Sequence, residues 1–180
     1  MDYSINDQYW IWLSSVARLT PRNFYALLAA AGDARAVWDD PRLVLSCLGE
    51  KEYGIIAAAR REETFYRIFA ALEKQHIHAV TRISDLYPER LSTIVDAPPT
   101  LFIKGNTDLN AERPFAIVGT RNASYDGKKT TREFTETLVS HGVCVISGLA
   151  RGVDTCAHAS RLAAGGRTIV VLGCGRNHVY

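Results

Sequence analysis

From Phe115 onward one pattern recurs: a short apolar run, then a polar loop carrying glycine, then a stretch of helical length. Phe115-Ala-Ile-Val118 leads into Gly119-Thr-Arg-Asn-Ala-Ser124 and a segment running to His141. Val143 to Ile146 leads into Ser147-Gly-Leu-Ala-Arg-Gly152 and a segment running to about Ala164. Thr168 to Leu172 leads into Gly173-Cys-Gly-Arg176. Strands that alternate with helices pair in parallel, because only a crossover of that length brings the next strand back in the same direction. The predicted class is therefore α/β, with a parallel Rossmann-like sheet. Ser124 is placed to cap the first crossover helix, with Phe134 and Leu138 on its inner face and Gly142 at its end. Asp154 is placed to cap the second, which Gly165-Gly166 closes.

The first seventy-odd residues follow a different rule. Asn6 can cap a helix with Tyr9, Trp10, Leu13 and Val16 on one face. Thr20-Pro21 is an N-cap followed by a proline at the first helical position, where the missing N–H costs nothing. Leu19 and Phe24 stand where a hydrophobic staple would put them, and Gly32 can end that helix. Asp40-Pro41 repeats the signal for a short helix to about Cys47. A longer helix is expected from about Lys51 to Lys74. Short helices joined by tight turns resemble a helix-hairpin-helix or sterile-alpha-motif (SAM-like) bundle. Tyr9 and Trp10 read as core residues. Ile77 to Thr81 and Leu101 to Lys104 read as strands, and Pro88, Pro98 and Pro99 forbid long helices between them. The expected domains are residues 1–73, helical, and 74–180, the sheet domain.

Composition excludes several classes. No apolar run approaches the roughly 18 residues of a membrane-spanning helix. The first residues, Met-Asp-Tyr-Ser-Ile-Asn-Asp, hold neither the basic nor the apolar region of a secretion signal. Cys47, Cys144, Cys156 and Cys174 form no CxxC pair, so no zinc site or disulfide framework is expected, and the reducing cytoplasm is the simplest compartment. Charge is uneven. Residues 1–112 hold 12 Lys and Arg against 15 Asp and Glu, or −3; residues 113–180 hold 9 against 4, or +5; together these give the chain's +2. A basic sheet domain suits an anionic partner, although ordinary surface charge would read the same way.

The three glycine loops share the edge at the carboxyl ends of the strands, where open parallel sheets bind ligands. The first two also enter helices, whose N-termini offer N–H groups and partial positive charge to an anion. Arg121, Arg151 and Arg176 add full charges, and Lys128 and Lys129 follow in the first turns of the next helix. The spacing does not fit a dinucleotide: Gly119 is followed next by Gly127, and Ile146-Ser147-Gly148 holds no acid for a ribose. Gly127-Lys128-Lys129-Thr130 only superficially resembles a P-loop and falls inside a helix. No cofactor is expected. Asp154 and His158 read as structural, and no catalytic residue or metal ligand is assigned.

Val118-Gly119-Thr120-Arg121, with Ala123-Ser124-Tyr125 and Gly127, resembles the first signature of the DNA-processing protein A family (DprA, also called Smf). Ser147-Gly-Leu-Ala-Arg-Gly-Val-Asp154 with Ala157-His158 resembles its second. Gly165-Gly-Arg-Thr-Ile-Val-Val-Leu-Gly-Cys-Gly175 resembles its third. Asp96-Ala-Pro-Pro-Thr-Leu-Phe-Ile-Lys-Gly-Asn106 resembles the family's lead-in strand. The signatures fall in order over residues 96–180. Thr120 stands where the family usually has serine, which keeps the hydroxyl. The chain stops at Tyr180, where the family signature continues, so the sheet is expected to be the first part of the family's extended Rossmann fold.

The resemblance implies a cytoplasmic protein that binds single-stranded DNA and loads the RecA recombinase onto it during natural transformation. It implies a homodimer in the full-length family and no catalysis. The family's arginine carries over to Arg121 and its binding loops to Ser147 through Gly152. With the loop-edge reading, the expected DNA-binding residues are Gly119, Thr120, Arg121, Ser124, Lys128, Ser147, Gly148, Ala150, Arg151, Gly152, Gly173 and Gly175. Two other readings stay open. A phosphoribohydrolase-like enzyme would need a Pro-Gly-Gly-x-Gly-Thr loop and a paired glutamate, and the chain has neither. An interaction module would act through the helical residues 1–73.

Overall fold

A computed structural model of the chain describes residues 3–110 and 113–173. It divides into two compact units, Met1–Asn110 and Ala111–Tyr180.

The N-terminal unit opens with five helices: α1 (Ile5–Ser14), α2 (Pro21–Ala31), α3 (Ala34–Asp39), α4 (Arg42–Leu48) and α5 (Glu50–Ala59). They are followed by α6 (Glu62–Lys74), strand β1 (His78–Thr81), the short α7 (Glu89–Ser92) and strand β2 (Thr100–Ile103). Thr20 and Pro21 start α2 as expected: the Thr20 hydroxyl accepts from Asn23 N, and Gly32 closes the helix at φ 89°. Two other caps differ from the sequence reading. Ser4, not Asn6, caps α1, because its hydroxyl reaches Asp7 N. Asp33 caps a helix, α3, that periodicity had not resolved.

The expected helix over 51–74 is broken at Arg60-Arg61 into α5 and α6. The reason is tertiary. The carbonyl of Ala59 at the end of α5 accepts from Trp12 Nε1 at 3.1 Å, and Arg60 reaches the carbonyl of Asp39 at 3.2 Å. Carbonyls at a helix end satisfied from outside leave little reason for the helix to continue. Trp12, Phe24, Leu27, Val37, Val44 and Ile56 form the buried centre. Trp10 and Tyr9 pack in or against this core as expected. The Trp10 ring lies 5.0 Å from that of Phe24, tilted by 59°, and Tyr9 lies 5.4 Å from Phe65.

Strands β1 and β2 pair antiparallel, with His78 opposite Ile103 and Thr81 opposite Thr100. The division between units falls after Asn110, whereas the sequence reading placed a boundary at 73/74. Three consecutive carbonyls explain the difference. Ala97, Pro98 and Pro99 accept from Tyr25 OH, Tyr87 OH and Trp10 Nε1 at 2.9, 2.7 and 2.7 Å. The proline-rich segment thus satisfies the polar ends of aromatic rings, two of them on α1 and α2. Burial raises the Tyr87 phenol to about 12.

The C-terminal unit contains β3 (Pro114–Ala116), α8 (Tyr125–Ser140), β4 (Cys144–Ser147), α9 (Val153–Ala163) and β5 (Thr168–Val170). The strands lie in the order β3-β4-β5 and both pairs are parallel. The α/β class and the parallel sheet are therefore as expected. Ser124 caps α8 by accepting from Gly127 N. The buried face of α8 is different: Phe134 is 64% exposed, while Thr131 and Thr135 are buried. Helices α8 and α9 pack together, and the side chains they bury include the small Thr131, Thr135, Ala157 and Ser160. Small residues at a seam let two helices approach closely, which turns the larger Phe134 outward. No helix among the described residues is long and apolar enough to cross a membrane.

Candidate nucleic-acid interface

Parallel pairing brings the loops after β3, β4 and β5 to one edge. The ladder continues past the strands: Ile117 N donates to Ile146 O at 3.0 Å, and Val171 N to Ser147 O at 2.9 Å. The first loop, 119–124, is held directly against the second, 147–152. Val153 N donates to Thr120 O at 3.2 Å. At Gly152, with φ 86°, a Cβ would overlap the carbonyl oxygen of Thr120 and stand 2.6 Å from that of Arg121. At Gly119 a Cβ would come within 2.7 Å of the Val153 side chain. These two glycines let the loops touch each other, a use that spacing alone did not reveal.

The expected site residues separate by what the fold has already asked of them. Ser147 is buried, and its hydroxyl donates to Ile117 O at 2.6 Å, tying β4 to β3. The Ser124 hydroxyl is engaged as the α8 cap. Thr120 Oγ1 accepts from Asn122 N at 3.1 Å, which sets the turn that carries Arg121. The Ala150 carbonyl accepts from Thr155 N and Oγ1. Arg121, Arg151, Lys128 and Gly173 are exposed. Gly175, with Cys174 and Arg176, lies outside the described residues.

Asp154 does not cap α9. The N-cap is Gly152, and the Asp154 carboxylate instead accepts from Gly148 N at 3.2 Å. The Thr120 carbonyl already occupies the N–H of Val153 at the head of that helix, so no side-chain cap is needed there. Gly148, Val153 and Thr155 each spend their N–H inside the fold. The edge at the second loop therefore presents charge and side chains more than a cradle of backbone donors. Its tip is Leu149, 45% exposed and held at φ 60°, a conformation that costs a non-glycine residue of order 1 kcal/mol.

Beneath this loop sits His158, buried in α9. Thr168 Oγ1 donates to Val145 O at 2.7 Å, so its single proton is used. It must accept from His158, whose Nδ1 lies 2.8 Å away and therefore carries the ring proton. Among the described residues Nε2 meets no hydrogen-bond partner. Burial pushes the imidazole below its ordinary value of 6.5, while the Ser147 backbone and the Asp154 carboxylate pull the other way. A histidine with a depressed native pKa binds fewer protons folded than unfolded. Its stabilising effect is full above pH 6.5 and declines as pH falls through that value toward the native pKa. The denaturation midpoint of the C-terminal unit should fall across that window, and His158→Gln should flatten the fall. An unchanged pH profile in the variant would remove His158 as its source.

Gly165, at φ 73°, ends α9 as read. Gly166 has a further task. A Cβ there would overlap the guanidinium of Arg161, a buried residue whose Nε donates to Arg167 O at 2.9 Å. Arg161 was missed by the sequence reading, since nothing local distinguishes a buried arginine from an exposed one.

A parallel sheet whose carboxyl edge carries touching glycine loops and exposed arginines defines a Rossmann-type α/β unit. The family model described as DNA recombination-mediator protein A matches residues 78–180. The chain belongs to that family. It is 40% identical over 130 residues to the DNA processing protein DprA of Bacillus subtilis (strain 168), covering 69% of this chain and 44% of that protein. It is 42% identical over 108 residues to DprA of Streptococcus pneumoniae (strain ATCC BAA-255 / R6), covering 60% and 38%. Against protein Smf of Escherichia coli (strain K12) the identity is 38% over 109 residues, covering 61% and 29%. The chain thus spans less than half the length of these curated relatives. The X-ray structure of DprA from Streptococcus pneumoniae matches all of this chain and 61% of its own, with a TM-score of 0.71 and 30% identity.

Proposed function

We propose that the C-terminal unit binds single-stranded DNA by its sugar–phosphate backbone, at the loop edge of the β3-β4-β5 sheet, without catalysing a reaction. The observation that carries this reading is the contact between the first two loops, which sets exposed Arg121 and Arg151 on adjoining turns. Guanidinium groups suit phosphate because their planar fork can donate twice. Few groups along this edge are suited to reading base edges, so binding is expected to be largely independent of sequence. The expected contacts come from Gly119, Thr120, Arg121, Ser124, Lys128, Gly148, Arg151, Gly152 and Gly173, with Ser147 and Ala150 shaping the second loop. The family suggests the setting: a cytoplasmic DNA-processing protein, homodimeric at full length, that passes single strands to the RecA recombinase. The helices of residues 1–73 act as an accessory domain.

Arg121→Ala tests the site. If Arg121 neutralises one phosphate, the variant should bind every single-stranded oligonucleotide more weakly and to the same degree. The slope of log affinity against log salt should flatten by about 0.7, the single-strand value per contact. Stability should change by less than about 0.5 kcal/mol, as for exposed surface positions generally. Arg35→Ala, in the N-terminal unit, should leave binding intact. Wild-type affinity and slope in Arg121→Ala would refute the site, and an unfolded variant would make Arg121 structural.

A further inference from the structure

Aromatic side chains are used differently in the two units. In the N-terminal unit ring-on-ring contacts link Tyr3, Tyr9, Trp12, Trp38, Phe65 and Phe69. The aromatic residues described in the C-terminal unit are Phe115, Tyr125 and Phe134, all half-exposed or more. Tyr125 is 83% exposed and is the first residue of α8, directly after the Arg121 loop. Burying a ring is among the largest favourable contributions a small unit can draw on, and Tyr125 makes none.

Its neighbours on the helix surface are basic. Residues three and seven positions on share a flank of a 3.6-residue helix. They are Lys128 and Arg132, both exposed. Lys129, on the outer side, is paired with Glu133 at 4.0 Å, whereas among the described residues neither Lys128 nor Arg132 is in an ion pair. Long side chains on a helix lean toward its N-terminus, which carries these two cations back toward the loop edge. The rise from Tyr125 to Arg132 is about 10 Å.

We propose that this flank of α8 is a second stretch of the single-strand track. A base leaving the Arg121 loop stacks on the ring of Tyr125, and the phosphates beyond it meet Lys128 and Arg132. The inference rests on the single-strand reading above and adds a contact to a base. Every base has a face to stack, so the contact is blind to sequence. It requires an unpaired base, which selects single strands over duplex.

The test uses the full chain, a thymidine oligonucleotide and an abasic oligonucleotide of equal length, each read by fluorescence anisotropy. Tyr125→Ala should bind the thymidine strand about tenfold more weakly, within the range for one stacked base, and the abasic strand like wild type. Tyr125→Phe should keep wild-type affinity for both. Arg132→Ala should flatten the salt slope by about 0.7 on both strands. Equal binding of the thymidine strand by wild type and Tyr125→Ala overturns the inference. So does an equal loss on both strands, which would make Tyr125 a support for the loop. In either case Arg121→Ala still reports on the site itself. If the wild-type chain binds neither strand, the functional reading falls and this inference with it.

Discussion

Gly152→Ala is expected to destabilise the C-terminal unit by about 2–6 kcal/mol and to abolish binding at the loop edge. Two costs combine. At φ 86° and ψ −121° an L side chain is strained, a cost of about 1–3 kcal/mol. The added methyl also overlaps the Thr120 carbonyl and crowds that of Arg121. Overpacking of this kind costs about 1–3 kcal/mol more, because backbone cannot step aside as a flexible side chain can. The least costly relaxation is for the first two loops to part, which breaks the Val153 N to Thr120 O bond and moves Arg121 away from Arg151. Gly142→Ala separates the two costs. It has φ 67° but nothing within 4 Å of the added methyl, so it should lose only about 1 kcal/mol. Urea denaturation and oligonucleotide anisotropy on both variants provide the measurement. If Gly152→Ala loses no more than Gly142→Ala, the loops do not touch as described.

Trp12→Ala is expected to cost the N-terminal unit about 3–5 kcal/mol, the range for removing a large buried aromatic. That is a large part of the 5–15 kcal/mol that typically holds a domain folded. Trp12 is fully buried, meets Trp38 edge-on at 4.7 Å and donates to the Ala59 carbonyl. Trp12→Phe keeps most of the packing but removes the donor at the end of α5, and should cost about 1–3 kcal/mol. Denaturant midpoints of both variants should fall in that order. A loss under about 1 kcal/mol for Trp12→Ala would mean that the ring is not central to the core.

Much of this protein is legible in its sequence. Thr20-Pro21 marked a helix start because its chemistry is local: a hydroxyl for the orphan N–H groups and a proline that has no N–H to lose. The parallel sheet followed from the alternation of apolar strand and amphipathic helix after Phe115. The loop edge followed from the sheet, since parallel strands must end their carboxyl sides together. The family signatures at Val118–Gly127 and Ser147–His158 lie at that edge.

Other features could not be read from neighbours in the chain. The break at Arg60-Arg61 depends on Trp12, which lies 47 residues earlier. Phe134 looked like a core residue by periodicity, yet α8 turns Thr131 and Thr135 inward and leaves Phe134 exposed. Asp154 looked like a cap, but the carbonyl of Thr120 occupies the head of α9 and the carboxylate serves Gly148 instead. By itself, then, the sequence determined most element types, the parallel sheet and the edge to which the glycine loops are brought, because those depend on local propensity and on the period of apolar residues. Tertiary structure decided which donors at that edge stay available, how closely the two loops approach and which helix faces are buried. Those outcomes depend on groups far apart in the chain competing for the same hydrogen bonds and the same space.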